Sequence, residues 1–285
     1  MQTYSNQTSQ KAFTLVEVAI VLIIVGLAVG GILSSLSSQV EQQKLNETRN
    51  TINNVKEALI GYAMAYGRFP CPAKAPDPVA GVTAIEAFSK LPLPVGDANN
   101  GKCLAFYNVS TPAFFTGYVP SVTLGLSPTD VYGYVLDGWN NPIRYAIVNL
   151  TDDSYSTYIF TKSYGMKNAN SASSPPCTPN CGMQYIADQR LLSVCSTVSG
   201  VIAGGACSSL TKINENSVIV VYSTGKNTST GGIGADEAAN LDADTAFVSH
   251  EPYAAGATNG EFDDIVEWIS LNSIFSRLVQ ANQLP

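Results

Sequence analysis

Residues 18–40 run for 23 positions without a charged side chain, and 18–33 contain only apolar residues and glycine. A run of that length suffices to cross a bilayer as a helix and exceeds the apolar stretch of a removable secretory signal. It divides the chain into a short polar start, an apolar helix and a large remainder. The start, residues 1–12, has Lys11 as its only charged side chain. The remainder is acidic, so the positive-inside rule leaves the amino terminus in the cytoplasm and exports everything after the run. Glu17 breaks the pattern, standing between Val16 and Val18 at the head of the apolar stretch. A carboxylate in such surroundings is costly and requires a partner.

The helix does not stop where the apolar run stops. Leu45, Thr48, Ile52, Val55, Leu59, Tyr62 and Tyr66 recur at alternating intervals of three and four, while Glu41, Lys44, Glu47, Arg49 and Lys56 fall mostly elsewhere on the wheel. Gly67 suits a helix terminus, and Pro70 and Pro72 cannot continue one. The spacing predicts one helix over 13–66, roughly 80 Å long. Its first part, 13–40, suits a membrane or filament core, and its amphipathic continuation, 41–66, suits the face of a sheet. The periodic stretch is too short for a coiled-coil stalk.

The large carboxy-terminal portion, 67–285, is rich in Gly, Pro, Ser, Thr, Asn and Tyr, with β-prone runs at 143–150, 155–161 and 218–223 and a helix expected over 263–281. An exported α+β head is the reading. At 45% apolar residues the chain is not intrinsically disordered. With 15 Lys+Arg against 22 Asp+Glu, the net charge of −7 repels phosphate backbones, so nucleic acid is not an expected partner. The single histidine, His250, read as an exposed loop residue, removes most routes to nucleophilic triads and multi-histidine metal centres. With no other catalytic cluster in view, the chain reads as a non-enzyme.

The order Lys11, Ala12, Phe13, Thr14, Leu15, Val16, Glu17, followed by an aliphatic run, resembles the processing site of type IV pilins and type II secretion pseudopilins. The resemblance implies that prepilin peptidase cuts between Ala12 and Phe13 and that residues 1–12 are a leader. It also implies that the new amino terminus is methylated, and that Glu17 pairs with a neighbouring subunit's amine during assembly. Two departures stand out: Ala12 replaces the usual glycine, and the apolar run lacks the proline many pilins carry, leaving Gly26, Gly30 and Gly31 as its weak points. The implied partners are other pilin or pseudopilin subunits, the peptidase and an inner-membrane assembly platform. The implied location is the inner membrane, single-pass with a periplasmic head, and then a periplasmic or extracellular filament.

Further along, 137–145 is similar to the Asp-x-Trp-Gly-x-Pro-x-x-Tyr stretch of the major pseudopilin, with Asn140 in place of glycine. Here Trp139 reads as a packing anchor and Arg144 as a partner for a carboxylate. The stretches 222–227 and 262–268 resemble the pseudopilin carboxy-terminal region, and Gly67, Arg68, Phe69, Pro70, Cys71 and Pro72 match a stretch of large pilin-like proteins. The implied fold is pilin-like: a long helix on an antiparallel sheet with long disulfide-bonded loops. The implied function is a structural subunit, a minor pilin because the head is large, with a secretion pseudopilin or a membrane-anchored adhesin as alternatives. A tip pseudopilin is disfavoured by Glu17.

All six cysteines lie on the exported side, where disulfides are the expected state. Of the fifteen pairings available, sequence proximity selects Cys71 with Cys103, Cys177 with Cys181, and Cys195 with Cys207. A zinc site from Cys177, Cys181, Cys195 and Cys207 is the alternative. Between 231 and 244, Asp236, Glu237, Asn240, Asp242 and Asp244 offer closely spaced oxygen ligands on a glycine-rich loop, as calcium requires, and major pseudopilins bind calcium in the corresponding loop. A merely solvated acidic loop is the competing reading. Asp263 and Asp264 would add ligands, pair with Arg144 or, the preferred role, cap the expected carboxy-terminal helix.

Overall fold

The apolar and amphipathic stretches form one helix, α1 (Leu15–Tyr66), of 52 residues. It ends where glycine becomes necessary: Gly67 takes φ 64°, a left-handed conformation, and its N–H donates to the Ala63 carbonyl at 2.8 Å. The computed structural model describes residues 14–77, 79–88, 101–104, 114–152, 157–163, 165–166, 186, 190–202, 204–228, 234–242, 244–253, 256 and 259–284, with the backbone alone over 28–37. Residues 1–12, Phe13, Cys177 and Cys181 lie outside the described residues.

The chain divides into two compact units, 1–45 and 46–285. The first is the apolar part of α1. Its aliphatic side chains are solvent-facing, from Leu15 at 87% exposed to Leu27 at 74%. Among the described residues no helix is long and apolar enough to cross a membrane, and the side chains at 28–37, in the middle of the uncharged run, are outside that set.

The second unit opens with the amphipathic part of α1. Thr48, Ile52, Val55 and Leu59 are buried, as the alternating spacing requires, and Ile60 and Ala63 extend the seam. Full burial of each aliphatic residue contributes about 1.5–3 kcal/mol. Tyr62 is half-buried, and Tyr66 is exposed where the seam runs out. Arg68 then locks the helix exit: its guanidinium meets both Glu86 oxygens at 2.8 and 2.9 Å, donates to Tyr62 Oη at 2.8 Å and lies over the Tyr62 and Phe88 rings. Burial, the leading cause, pushes the Tyr62 phenol up to about 12.

The main sheet comprises β1 (Phe114–Tyr118), β2 (Arg144–Val148), β5 (Leu192–Cys195), β8 (Lys212–Ser223), β9 (Ala246–Val248) and β10 (Ile265–Ser270). β8 is its spine, pairing antiparallel with β5 over its first half and with β2 and β10 over its second. That second half, Val218, Ile219, Val220, Val221 and Tyr222, is an unbroken apolar run because both of its faces are buried. Short pairs β3 (Thr151–Asp152) with β4 (Thr157–Tyr158), and β6 (Val201–Ile202) with β7 (Ala206–Cys207), stand beside it. Helices α2 (Ser121–Leu124), α3 (Ala235–Ala239) and α4 (Leu271–Gln280) belong to the same unit.

Three expectations are corrected. The sheet is not purely antiparallel: β9 runs parallel to β5, reached by a long connection through β8 rather than a hairpin. The helix expected over 263–281 begins only at Leu271, because Ile265, Val266, Trp268 and Ile269 are β-branched or aromatic and β8 offers a ladder to them. Its cap is therefore Ser270, whose Oγ accepts from the Ser273 N–H, and not Asp263 or Asp264. His250 is no exposed loop residue, since its side chain is 11% exposed and sits against the Phe262 and Tyr253 rings.

Disulfides join Cys71 to Cys103 and Cys195 to Cys207. The second removes both of its sulfurs from the alternative zinc site. The first ties the α1 exit to the loop holding Phe88, which forms an isolated bridge with Cys103.

Candidate functional site

Among the described residues, two places carry chemistry. The first is the start of α1. Thr14 precedes the first helical residue, and Glu17 stands three positions on, the spacing of a capping box. The Glu17 N–H donates to Thr14 Oγ1 at 3.3 Å, and the Thr14 N–H reaches Glu17 Oε2 at 3.5 Å. The carboxylate is thus held loosely at the positive end of the helix, in its first turn, among exposed aliphatic side chains. This geometry leaves an anion free to exchange a long local contact for a cationic amine. Ala12 and Phe13 lie outside the described residues, and the cleavage point lies there with them.

The second place is the carboxy-terminal region. The five expected calcium ligands do not converge. Asp236 accepts from the Val198 N–H at 2.6 Å, Thr197 Oγ1 at 3.0 Å and Asn259 Nδ2 at 2.9 Å, and faces His250 Nε2 at 3.3 Å. Burial raises its carboxyl, but these donors outweigh burial and hold it below the usual carboxylate range. Asp242 Oδ1 accepts from the Asp244 N–H, and Asp244 Oδ1 from the Ala246 N–H, both turn-forming contacts. The Asn240 side chain is committed to β9 and Asp264, with its oxygen accepting from the Val248 N–H. Of the five, only Glu237 sets its carboxylate against carboxylates from outside the set.

Those are Asp263 and Asp264. One oxygen from each of Glu237, Asp263 and Asp264 lies within 4.8 Å of the others, and all three residues are buried. The fold brings them together because α3 is capped by its own Glu237, which accepts from the Gly234 N–H at 3.3 Å and from the Asp263 N–H at 2.9 Å. Asn227 Nδ2 donates to both Glu237 oxygens at 3.0 and 2.9 Å. Lys226 donates its N–H to Asp263 Oδ2 at 3.2 Å, while its ammonium pairs with Glu261. Asp263 Oδ1 is buried and has no hydrogen-bond partner among the described residues. It rests against Gly225, where a Cβ would collide with it and where φ is 58°.

Burial, then the Glu237 charge, pushes the Asp263 carboxyl up to about 7. Burial pushes Asp264 up to about 8; the Asn240 hydrogen bond opposes the rise, and the charges of Glu237 and Asp263 add to it. An all-carboxylate donor set with one orphaned oxygen fits a hard, oxygen-seeking cation such as calcium. Sequence reasoning placed Asp263 and Asp264 at a helix cap because it read 265–270 as helix. The legible signal was the pair of adjacent carboxylates at a strand entry.

The motif at 137–145 lies beside this region. The Asp137 carboxylate accepts from the Trp139 and Asn141 N–H groups at 2.8 Å each and from Ser223 Oγ at 2.6 Å. Burial pushes Asp137 up against these bonds. Asn141 Nδ2 donates to the Gly225 carbonyl, and the Gly138 N–H donates to Thr48 Oγ1 of α1. Asn140 takes φ 67°, the left-handed conformation that glycine would adopt most readily. Arg144 lies over the Tyr118 ring, 5.1 Å from its centroid. The motif is thus a brace between helix and sheet.

A family model described as a prokaryotic N-terminal methylation motif matches residues 7–33. This supports a prepilin-type signal of the pilin and pseudopilin kind. No curated protein and no solved structure matches the chain.

Proposed function

We propose, for a chain whose residues 7–33 carry a prokaryotic N-terminal methylation motif, the role of a minor pilin that is built into a type IV filament through its first helix. The observation that carries this reading is the conjunction of that motif with an α1 whose first unit exposes Leu15, Val16, Val18 and the aliphatic residues to Leu27. So much exposed apolar surface requires lipid before assembly and neighbouring helices after it. Cleavage between Ala12 and Phe13 supplies a cationic amine, and the Glu17 carboxylate of the next subunit neutralises it as both leave water. The uncharged run over 18–40 holds the precursor in the inner membrane, with the head outside, until the assembly platform extracts it. No catalytic step is assigned to the head.

A second reading, a type II secretion pseudopilin, draws on the resemblance of 137–145 and 262–268 to that family. Under either reading, the carboxylates of Glu237, Asp263 and Asp264 would hold a calcium ion, which would supply positive charge to a buried anionic cluster. This replaces the wider ligand set over 236–244.

The test is Glu17→Gln in the full-length protein. Cleavage and methylation continue, and the amount recovered in sheared filaments falls by about tenfold or more, the scale of an unpaired buried charge. Unchanged filament recovery refutes the role of Glu17. Loss of a secreted substrate with pili intact favours the secretion reading.

A further inference from the structure

The amide of Asn240 touches two things at once. Its Nδ2 donates to Asp264 Oδ2 at 2.7 Å and to the Val248 carbonyl at 3.1 Å, while its Oδ1 accepts from the Val248 N–H at 2.7 Å. Both polar atoms of the Val248 backbone are thus held by one side chain, which takes the place of a neighbouring strand along β9. Asn240 is buried, at 2% exposed, and Val248 is at 0%. The amide is held from both sides, by the Val248 backbone and by Asp264, so a change in the Asp264 carboxylate reaches Val248 through a single rigid group.

We infer that Asn240 is a positioning residue that couples occupancy of the carboxylate cluster to the order of strand β9. The inference rests on the cation reading of Glu237, Asp263 and Asp264. A cation drawn to these oxygens fixes the Asp264 carboxylate, Asp264 fixes the Asn240 amide, and the amide clamps Val248. Strand β9 in turn pairs with β5, where the Ser249 N–H donates to the Cys195 carbonyl and the Ser193 N–H to the Thr245 carbonyl. The Cys195–Cys207 bridge lies at that junction. Emptying the cluster would therefore loosen the outer edge of the sheet and leave β8 paired with β2 and β10. Asp236 and His250 flank the same segment, but their contacts run to Val198, Thr197, Asn259 and the Glu251 carbonyl, and not to the cluster.

The full chain in detergent, stripped with a chelator and then given calcium chloride, provides the test. Ion binding is measured by calorimetry, and backbone hydrogen exchange is followed by mass spectrometry over 245–250. In the native chain calcium binds and slows exchange of the Val248 amide by about tenfold or more. Asn240→Ala still binds calcium, but exchange over 245–250 no longer responds to it. Glu237→Gln leaves Asn240 in place and loses both binding and the response. Should Asn240→Ala fail to fold, Asn240→Ser, too short to reach Asp264 and both Val248 backbone groups together, takes its place with the same expected loss of response. Calcium binding with no change at Val248, or full protection retained in Asn240→Ala, overturns the inference and leaves the cation reading standing. No calorimetric binding to the native chain overturns the cation reading, and the inference with it.

Discussion

Glu237, Asp263 and Asp264 face one another inside the protein, and burial first, with the facing charges adding to it, favours the protonated forms of Asp263 and Asp264. Asp263 at about 7 and Asp264 at about 8 stand far above the unfolded carboxylate value of about 4. Between those limits the folded head binds more protons than the unfolded chain, so its stability falls as pH rises. The contribution is complete below about pH 4 and is lost as pH climbs through 7 and 8, at no more than about 1.4 kcal/mol per pH unit for each proton held. In chelator, the melting temperature is therefore expected to fall between pH 5 and pH 8, with calcium flattening the slope. Asp263→Asn flattens it without calcium. A slope that Asp263→Asn does not change contradicts the assignment. The cluster was only half legible in the sequence. Glu237 and Asp263 are 26 residues apart, and the pairing of β10 with β8, not any local spacing, brings them together.

Among the elements, α1 and the stretch 265–280 show where periodicity decides a fold and where it fails. The alternating seam from Thr48 to Leu59 was readable because a long amphipathic helix repeats its signal over many turns. Over 265–270 the apolar residues Ile265, Val266 and Ile269 fit a helical stripe as well as a strand, and tertiary pairing with β8 settles the choice. The switch from strand to helix falls at Ser270, which ends β10 and caps α4 with the same residue. Ser270→Ala is expected to cost about 1 kcal/mol of head stability in denaturant titration, the usual loss of a helix cap. Ser270→Asp is expected to restore it. A loss in both variants places the role of Ser270 in the strand and not in the cap.

At the scale of the whole molecule, the chain pairs a helix that cannot stay bare in water with a head that is folded around its own sheet, the Cys71–Cys103 and Cys195–Cys207 disulfides and a buried acidic cluster. The first unit was legible from hydropathy and the order of residues 11–17, because its function depends on a linear signal. The head was legible only in outline: its strand order and its parallel β5–β9 pair arise from long-range contacts that no local pattern encodes. The division also sets the most direct measurement, the intact mass of the protein recovered from sheared surface material and from membranes. The expected result in the sheared fraction is a chain that begins at Phe13, carries one added methyl group and gains the hydrogens of its disulfides on reduction. An uncleaved, unmethylated chain confined to membranes would contradict the proposal that this protein is a processed filament subunit.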